Sequence, residues 1–243
     1  MIPLLELAIK AHGGLSNWRT LETVDFEFNI GGVLWQAKAL HDGLRAAAHV
    51  EPSEKRVRIE PFDGDGTVGY FTPERVWVGN ASGRVVQERH APRNSFAGHT
   101  LMTPWDKLHE LYFVGYALLN YFSSPFMLAD PGFEVEEIEP HFENDETWRR
   151  MLVRFPVEYP THTREQTFYF NEQGLLKRMN YTVDIAQAPG AHYCFDHHEV
   201  AGIIVPTYRR VFGRDLFKED PENISDPPGV ELRIGKIQVN RGR

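Results

Sequence analysis

One run constrains this chain more than any other. Residues 108–127 read Leu-His-Glu-Leu-Tyr-Phe-Val-Gly-Tyr-Ala-Leu-Leu-Asn-Tyr-Phe-Ser-Ser-Pro-Phe-Met, with six aromatic rings and a single formal charge, Glu110. A helix this apolar must be covered on nearly every side. Almost everything around it alternates as strands do, so the cover must come from a sheet. One face of a sheet covers one side of a helix. The other side then needs more protein, a partner or an apolar ligand. Thr103 can cap the helix, Pro104 can open it and Asp106 suits its positive end. Pro125 and Asp130-Pro131-Gly132 stop it, so the spacing predicts a helix over about 103–122.

The alternation begins early. A short helix opens the chain, with Pro3 at its start and Leu5, Ala8, Ile9 and His12 on one stripe. Gly13-Gly14 ends it, and Ser16 can cap a brief turn that presents Trp18. Val24, Phe26, Phe28 and Ile30 then alternate with Asp25, Glu27 and Asn29, one dry face and one wet face, the mark of an antiparallel sheet. Gly31-Gly32 reads as a hairpin turn, with Val33, Trp35, Ala37 and Ala39 beginning the return strand. Asp42-Gly43, Asp63-Gly64-Asp65-Gly66 and Ser82-Gly83 mark further turns. Beyond the central helix, extended segments are expected at 133–140, 148–155, 167–170, 175–183, 192–200, 203–212 and 230–239, with a polar turn at Glu143-Asn144-Asp145-Glu146 and an Asp-, Pro- and Glu-rich loop over 213–229. In the last strand the apolar parity changes between Ile234 and Ile237, which a bulge at Gly235 would reconcile. About ten to twelve strands at this spacing imply a barrel or strongly curved sheet. The expected fold is therefore mainly β with a few helices: a strongly curved antiparallel sheet with a helix plugging its concave side, in one domain spanning 1–243.

Charge and composition exclude several function classes. The net charge of −8 argues against non-specific nucleic-acid binding, which needs clustered Lys and Arg, and against a general anionic-membrane surface. The basic end Arg241-Gly242-Arg243 is too short to serve as a tail. Cys194 is the only cysteine, so no intrachain disulfide can form. No apolar run is long enough for a transmembrane helix. The first residues lack a basic n-region and a cleavage site, which reads as cytoplasmic; a chain relieved of a leader would look the same and would be periplasmic. The oligomeric state stays open. No nucleophile elbow, zinc-protease pair, P-loop or dinucleotide fingerprint occurs, and no cofactor is expected. The Asp63–Gly66 turn lacks the remaining ligands and distal Glu of a calcium loop.

Three segments carry a likeness. Ala11-His12-Gly13-Gly14-Leu15-Ser16-Asn17-Trp18 before a first strand, Tyr169-Phe170-Asn171 through Gly174-Leu175-Leu176, and Tyr193-Cys194-Phe195-Asp196-His197-His198-Glu199-Val200-Ala201-Gly202-Ile203-Ile204-Val205-Pro206 resemble, in order, the opening helix and break, the strand–turn–strand step and the late hairpin of LolA-like proteins, the bacterial lipoprotein-carrier relatives. The resemblance implies an unclosed β-barrel with helices over its mouth, enclosing an apolar cavity that carries acyl chains. The middle of the chain matches no motif of that family.

The candidate site residues follow from these patterns. Phe26, Phe28 and Trp35 are expected on the buried side of the first hairpin, as core or cavity lining. His109, Tyr112, Phe113 and Tyr116 share one face of the central helix. His109 is either a core-edge histidine bonded to a backbone carbonyl or a pocket group able to donate or accept a proton. His192, Cys194, Asp196 and His198 alternate along one strand. Same-face neighbours on a strand lie about 7 Å apart, too far for a shared metal ion without help, so no metal is expected there. They read as a wet outer face or, with opposite parity, as Asp196 and His198 anchoring a ligand headgroup. Cys194 reads as a buried, inert thiol. His90, His99, His141 and His162 are scattered and carry no pattern.

The expected function is binding of a hydrophobic small molecule or lipid acyl chain between sheet and helix, with Phe26, Phe28, Trp35, His109, Tyr112, Tyr116, Asp196 and His198 as ligand-contacting candidates. The alternative is an enzyme of the same shape, using one or two acid–base groups on an apolar substrate as isomerases and cyclases do. A weaker third reading docks the aromatic helix on another chain.

Overall fold

The alternating segments pair into a single antiparallel sheet in the computed structural model, which describes residues 1–41, 43–143, 145–214 and 227–242. Asp42 and Asn144 of two expected turns, most of the acidic loop expected over 213–229, and Arg243 lie outside the described residues. Helices α1 (Pro3–Ala11) and α2 (Leu15–Trp18) precede β1 (Leu21–Gly31), α3 (Val33–Ala37), β2 (Leu44–Glu51), β3 (Arg56–Glu60), β4 (Val68–Phe71), β5 (Arg75–Gly79) and β6 (Val85–His90). Helix α4 (Lys107–Ser123) leads to β7 (Glu134–Glu143), β8 (Glu146–Arg154), β9 (Glu165–Phe170), β10 (Leu176–Val183), β11 (Ala188–Val200), β12 (Ile203–Gly213) and β13 (Val230–Arg241).

The strand order is β6-β5-β4-β3-β2-β1-β13-β12-β11-β10-β9-β8-β7. Every pairing but one joins sequence neighbours. The exception joins the first strand to the last, with Val24 opposite Val239 and Ile30 opposite Leu232. The sheet remains unclosed, with β6 and β7 as its edges, because thirteen twisted strands curl without meeting. The register with β1 shifts between Gly235 and Gln238, where Lys236 takes a φ of 48°. This is the bulge that the parity change around Gly235 required.

Helix α4 is the connection between the two edges and lies in the concave side. Residues 108–123 are all buried. On β1 the dry face forms as the alternation predicts: Val24, Phe26, Phe28 and Ile30 are buried, and Phe26 stacks on Phe122 of α4 with centroids 4.2 Å apart. Gly115 lets the helix approach β4, since a Cβ there would stand 2.4 Å from Phe71 Cγ.

Two boundaries differ from expectation. Helix α4 starts at Lys107, four residues after Thr103, because Asp106 is the better cap. Its side chain accepts from the His109 amide at 2.9 Å, and His109 Nδ1 accepts from the Asp106 amide at 3.1 Å, a reciprocal capping box. The return strand expected at 33–39 is instead α3. Gly32 turns with φ 129°, and the Val33 and Leu34 amides donate to the Pro228 and Gly229 carbonyls at 3.2 and 3.0 Å. Those bonds pull the chain out of the ladder until Leu44. Trp35 therefore sits on a helix rather than a hairpin.

A second cluster lies on the opposite face of the sheet. Trp148, Tyr169, Ala191, Tyr193 and Phe212 are buried together, and the Arg178 guanidinium lies between the Tyr169 and Tyr193 rings, paired with Glu143 at 2.7 Å. Both faces of β10 and β11 are thus covered, so their burial does not alternate.

Candidate functional site

At one end of the sheet, β1, β11, β12 and β13 stop around α3 and the 99–105 loop. They leave a groove of about 610 Å³ lined mainly by apolar side chains, among them Val33, Leu34, Ala37, Leu101, Val211 and Val230. Its volume falls in the range of small-molecule sites, ~300–1,000 Å³. Its rim is apolar and wet: Val33 is 43% and Leu101 42% exposed, and neighbouring Met102 is 70% exposed. Helix α3 forms one wall. It can pack against β13 only because residue 32 is glycine; a Cβ there would stand 2.5 Å from the Gly229 carbonyl oxygen.

Leu34 also lines a gap behind α3, enclosed with Trp35, Lys38, Trp105, Glu110 and Phe113 and too narrow for a water molecule. Glu110 is buried yet matched: Trp35 Nε1 donates to Oε1 at 2.7 Å and Lys107 Nζ to Oε2 at 3.0 Å. Lys38 is fully covered and has no carboxylate in ion-pair range among the described residues. Its ammonium donates to the Thr100 carbonyl at 2.6 Å and stands 4.7 Å from the centroid of the Trp105 ring. Burial pulls its pKa down from 10.5 to about 8. Trp105 Nε1 is buried without a partner.

Deeper in, the concave side holds a chain of hydrogen bonds rather than a void. Tyr116 and Tyr121 hydroxyls flank His162 at 3.0 and 3.2 Å, and His162 stacks on Tyr181 with centroids 4.1 Å apart. The Tyr181 hydroxyl meets His192 Nδ1 at 3.0 Å. Arg209 then reaches His192 Nε2 at 3.3 Å, Cys194 Sγ at 3.2 Å and the Tyr121 carbonyl at 3.0 Å. Burial, with the nearby Arg93 charge, lowers His162 to about 3; burial and Arg209 lower His192 well below its usual value. Burial pushes the Cys194 thiol up, so it stays protonated and inert. Leu111, Val114, Tyr116, Ala117, Leu118 and Leu119 expose nothing, and a side chain with zero accessibility touches no space that admits a water. The cavity expected between sheet and helix is therefore filled in this structure by the helix's own rings and their partners, and the apolar groove lies at the mouth.

The candidates from sequence scatter accordingly. Phe26 and Phe28 are core, 6.0 Å apart by centroid. Trp35 lines the inner gap, one turn of chain from the groove. Tyr112 lies beside Arg93, whose guanidinium also binds the Thr161 carbonyl and Asp184. Tyr116 belongs to the His162 network, and His109 is consumed as half of the capping box. Asp196 and His198 are exposed. Asp196 takes a left-handed φ of 51°, which turns the strand over: His192 and Cys194 face α4, whereas His197, not His198, points inward and binds the Leu176 carbonyl at 2.9 Å. Neither Asp196 nor His198 reaches the groove. Tyr193 and Phe195 lie on the outer face. Lys38, Trp105, His162 and Arg209 carried no sequence signal: each is a single residue in an irregular segment or an ordinary strand position. Among the described residues no three His, Cys, Asp or Glu side chains converge on a metal position, and no helix is long and apolar enough to cross a membrane.

No protein-family model matches the sequence, and no curated protein does. Solved structures do match in shape. A LolA superfamily protein from Nitrosomonas europaea aligns over 99% of this chain and 93% of its own at a TM-score of 0.55 and 10% identity. A DUF1329 family protein from Desulfovibrio piger aligns over 99% and 93% at 0.53 and 12% identity. A putative outer membrane lipoprotein-sorting protein domain from Vibrio parahaemolyticus aligns over 98% and 93% at 0.52 and 9% identity. The chain has a LolA-like fold. The opening helix, the Gly13-Gly14 break and the late hairpin at Ala201-Gly202 are present, and Asn17 Nδ2 donates to the Gly202 carbonyl at 2.9 Å, tying the opening segment to that hairpin.

Proposed function

We propose that this chain binds a single apolar molecule or lipid acyl chain in the mouth groove. The observation that carries the reading is the groove itself: about 610 Å³, apolar walls, and an exposed apolar rim at Val33 and Leu101 that water alone would disfavour. A methylene chain laid there gains about 0.8 kcal/mol per buried CH₂, less the cost of immobilising it. The likeness to a protein described as lipoprotein-sorting is consistent with an acyl cargo. Leu34 stands between the groove and the ring-lined gap behind it, so displacing that side chain would extend the site to Trp35 and Phe113. Phe26, Phe28, Tyr112 and Tyr116 would line the site only if α4 also moved.

The test uses the neutral dye N-phenyl-1-naphthylamine, titrated into the wild type, Val33→Glu and Leu101→Glu. Both positions are half exposed, so a charge there leaves folding intact. Dye fluorescence saturating on the wild type and lost in both variants supports the reading. No dye binding, together with no lipid in an organic extract of the purified protein, overturns it. Dye binding that neither variant disturbs places the ligand elsewhere and overturns it equally.

A further inference from the structure

We infer that the ligand is an amphiphile with a carboxylate head, and that Lys38 and Trp105 receive that head at the inner end of the mouth groove. The inference rests on the groove being the ligand site. It starts from an imbalance. Lys38 is fully covered, and a buried ammonium is costly unless paired. It has three N–H donors, and among the described residues the Thr100 carbonyl is its one hydrogen-bond partner. The carboxylate that shares its enclosure, Glu110, is already taken by Trp35 and Lys107. His99, on the covering loop, adds no negative charge, and Lys38 itself helps hold it neutral. Beside Lys38, Trp105 Nε1 is a donor that cannot accept, and it is buried without a partner while its residue is only 6% exposed.

Two donor groups with unused hydrogens thus belong to one gap: Lys38 Nζ stands over the Trp105 ring, 4.7 Å from its centroid, and Trp105 Nε1 has no partner among the described residues. What completes them is an anion. Their position says which end of a ligand it terminates. Ala37, next to Lys38 in the chain, lines the groove, and Leu34 lines both the groove and the gap that Lys38 and Trp105 enclose. A tail along Leu34, Ala37 and Leu101 therefore ends at the ammonium. The cover above it is slight: the 99–105 loop, whose Leu101 and Met102 are exposed and whose hold on α3 consists of the Lys38–Thr100 bond and the bond from the Trp105 amide to the Lys38 carbonyl at 2.9 Å. Rotating Leu34 opens the gap from the groove side, whereas moving the loop also parts His99 from His109 and Trp105 from Phe113 on α4. One ammonium and one indole N–H suit a singly charged, planar head better than a dianionic phosphate.

The experiment displaces N-phenyl-1-naphthylamine with palmitate, hexadecanol and hexadecyl phosphate from the wild type, Lys38→Met and Lys38→Arg. A hydrogen-bonded charge predicts that palmitate displaces the dye at concentrations about tenfold or more below hexadecanol on the wild type. Lys38→Met should abolish that preference and leave hexadecanol unchanged, and Lys38→Arg should retain most of it. Equal displacement by palmitate and hexadecanol on the wild type overturns the inference, as does a preference that survives Lys38→Met. Stronger displacement by hexadecyl phosphate than by palmitate overturns the carboxylate assignment. If the dye never binds, the groove itself is not the site, and the two failures are told apart on the wild type alone.

Discussion

Lowering the pH should unfold this protein through three histidines that the core keeps neutral. His162 is held at about 3 and His12 at about 4, and His192 lies well below its usual value. Burial is the first cause in each, with Arg93 adding to it at His162 and Arg209 at His192 and His12. The neutral forms are also pinned by hydrogen bonds: His12 Nδ1 donates to the Ala8 carbonyl at 2.8 Å, leaving Nε2 to accept from the Leu176 amide. In the unfolded chain all three titrate near 6.5. Their folded values are depressed, so the unfolded state binds more protons between about pH 6.5 and pH 3–4. Stability present above 6.5 is therefore lost as the pH falls through that window. Two pH units below 6.5, His162 and His12 each cost about 2.7 kcal/mol, about 5 kcal/mol together, and His192 adds in the same direction. That reaches the lower end of the whole stability of an ordinary domain, about 5–15 kcal/mol. Urea unfolding followed by tryptophan fluorescence at steps from about pH 7 to 5 measures it, with a limiting slope of about 3 kcal/mol per pH unit from His162 and His12. His162→Gln, which can still bond to the two tyrosine hydroxyls, should remove about half of that slope. An unfolding free energy that stays level within about 1 kcal/mol from pH 6.5 to 5 would refute the reasoning.

Two further outcomes can be measured with the same urea titration. Glu110→Ala leaves Trp35 Nε1 and the Lys107 ammonium without their buried acceptor and should cost about 2–3 kcal/mol, whereas Glu110→Gln, which keeps one oxygen, should cost less. Lys38→Met should raise stability at neutral pH by up to about 3 kcal/mol, because the folded state depresses the lysine from 10.5 to about 8. The lysine penalty is complete below about 8 and fades as the pH rises to 10.5, so the two proteins should converge in alkaline buffer. A methionine variant no more stable than the wild type at neutral pH contradicts the burial argument.

Much of the fold was legible because its signals are local. The period of two in 24–30 fixed which face of β1 is dry, the aromatic run fixed α4, and the parity change around Gly235 located a bulge. What failed depended on distant partners. Val33, Trp35 and Ala37 keep strand parity, yet the carbonyls of Pro228 and Gly229, nearly the whole chain away, draw them into a helix. His192, Cys194, Asp196 and His198 share a parity on paper; one left-handed residue, Asp196, divides the set. The second cluster around Arg178 covers the outer face of β10 and β11, which erased the alternation that would have sorted Tyr193 from Cys194. The candidate site was least legible. A lysine after a short helix and a tryptophan before a long one look like surface residues until the fold closes a loop over them.

Because the first and last strands pair at the middle of the sheet, the end of β13 lies beside the start of β1: the Gly242 amide donates to the Thr20 carbonyl at 3.2 Å. Joining the chain's ends through a linker long enough to pass α1 and α2 would give a ring in which the direct covalent crossing from one free margin to the other is the segment that carries α4. The slot between those margins cannot widen without hauling on that segment. Rearranged so that new ends fall at 130–132, the molecule would keep every ladder contact and lose its only tether, which makes a permuted chain the direct way to ask whether a larger guest is admitted by spreading the margins or by the loop at the mouth alone.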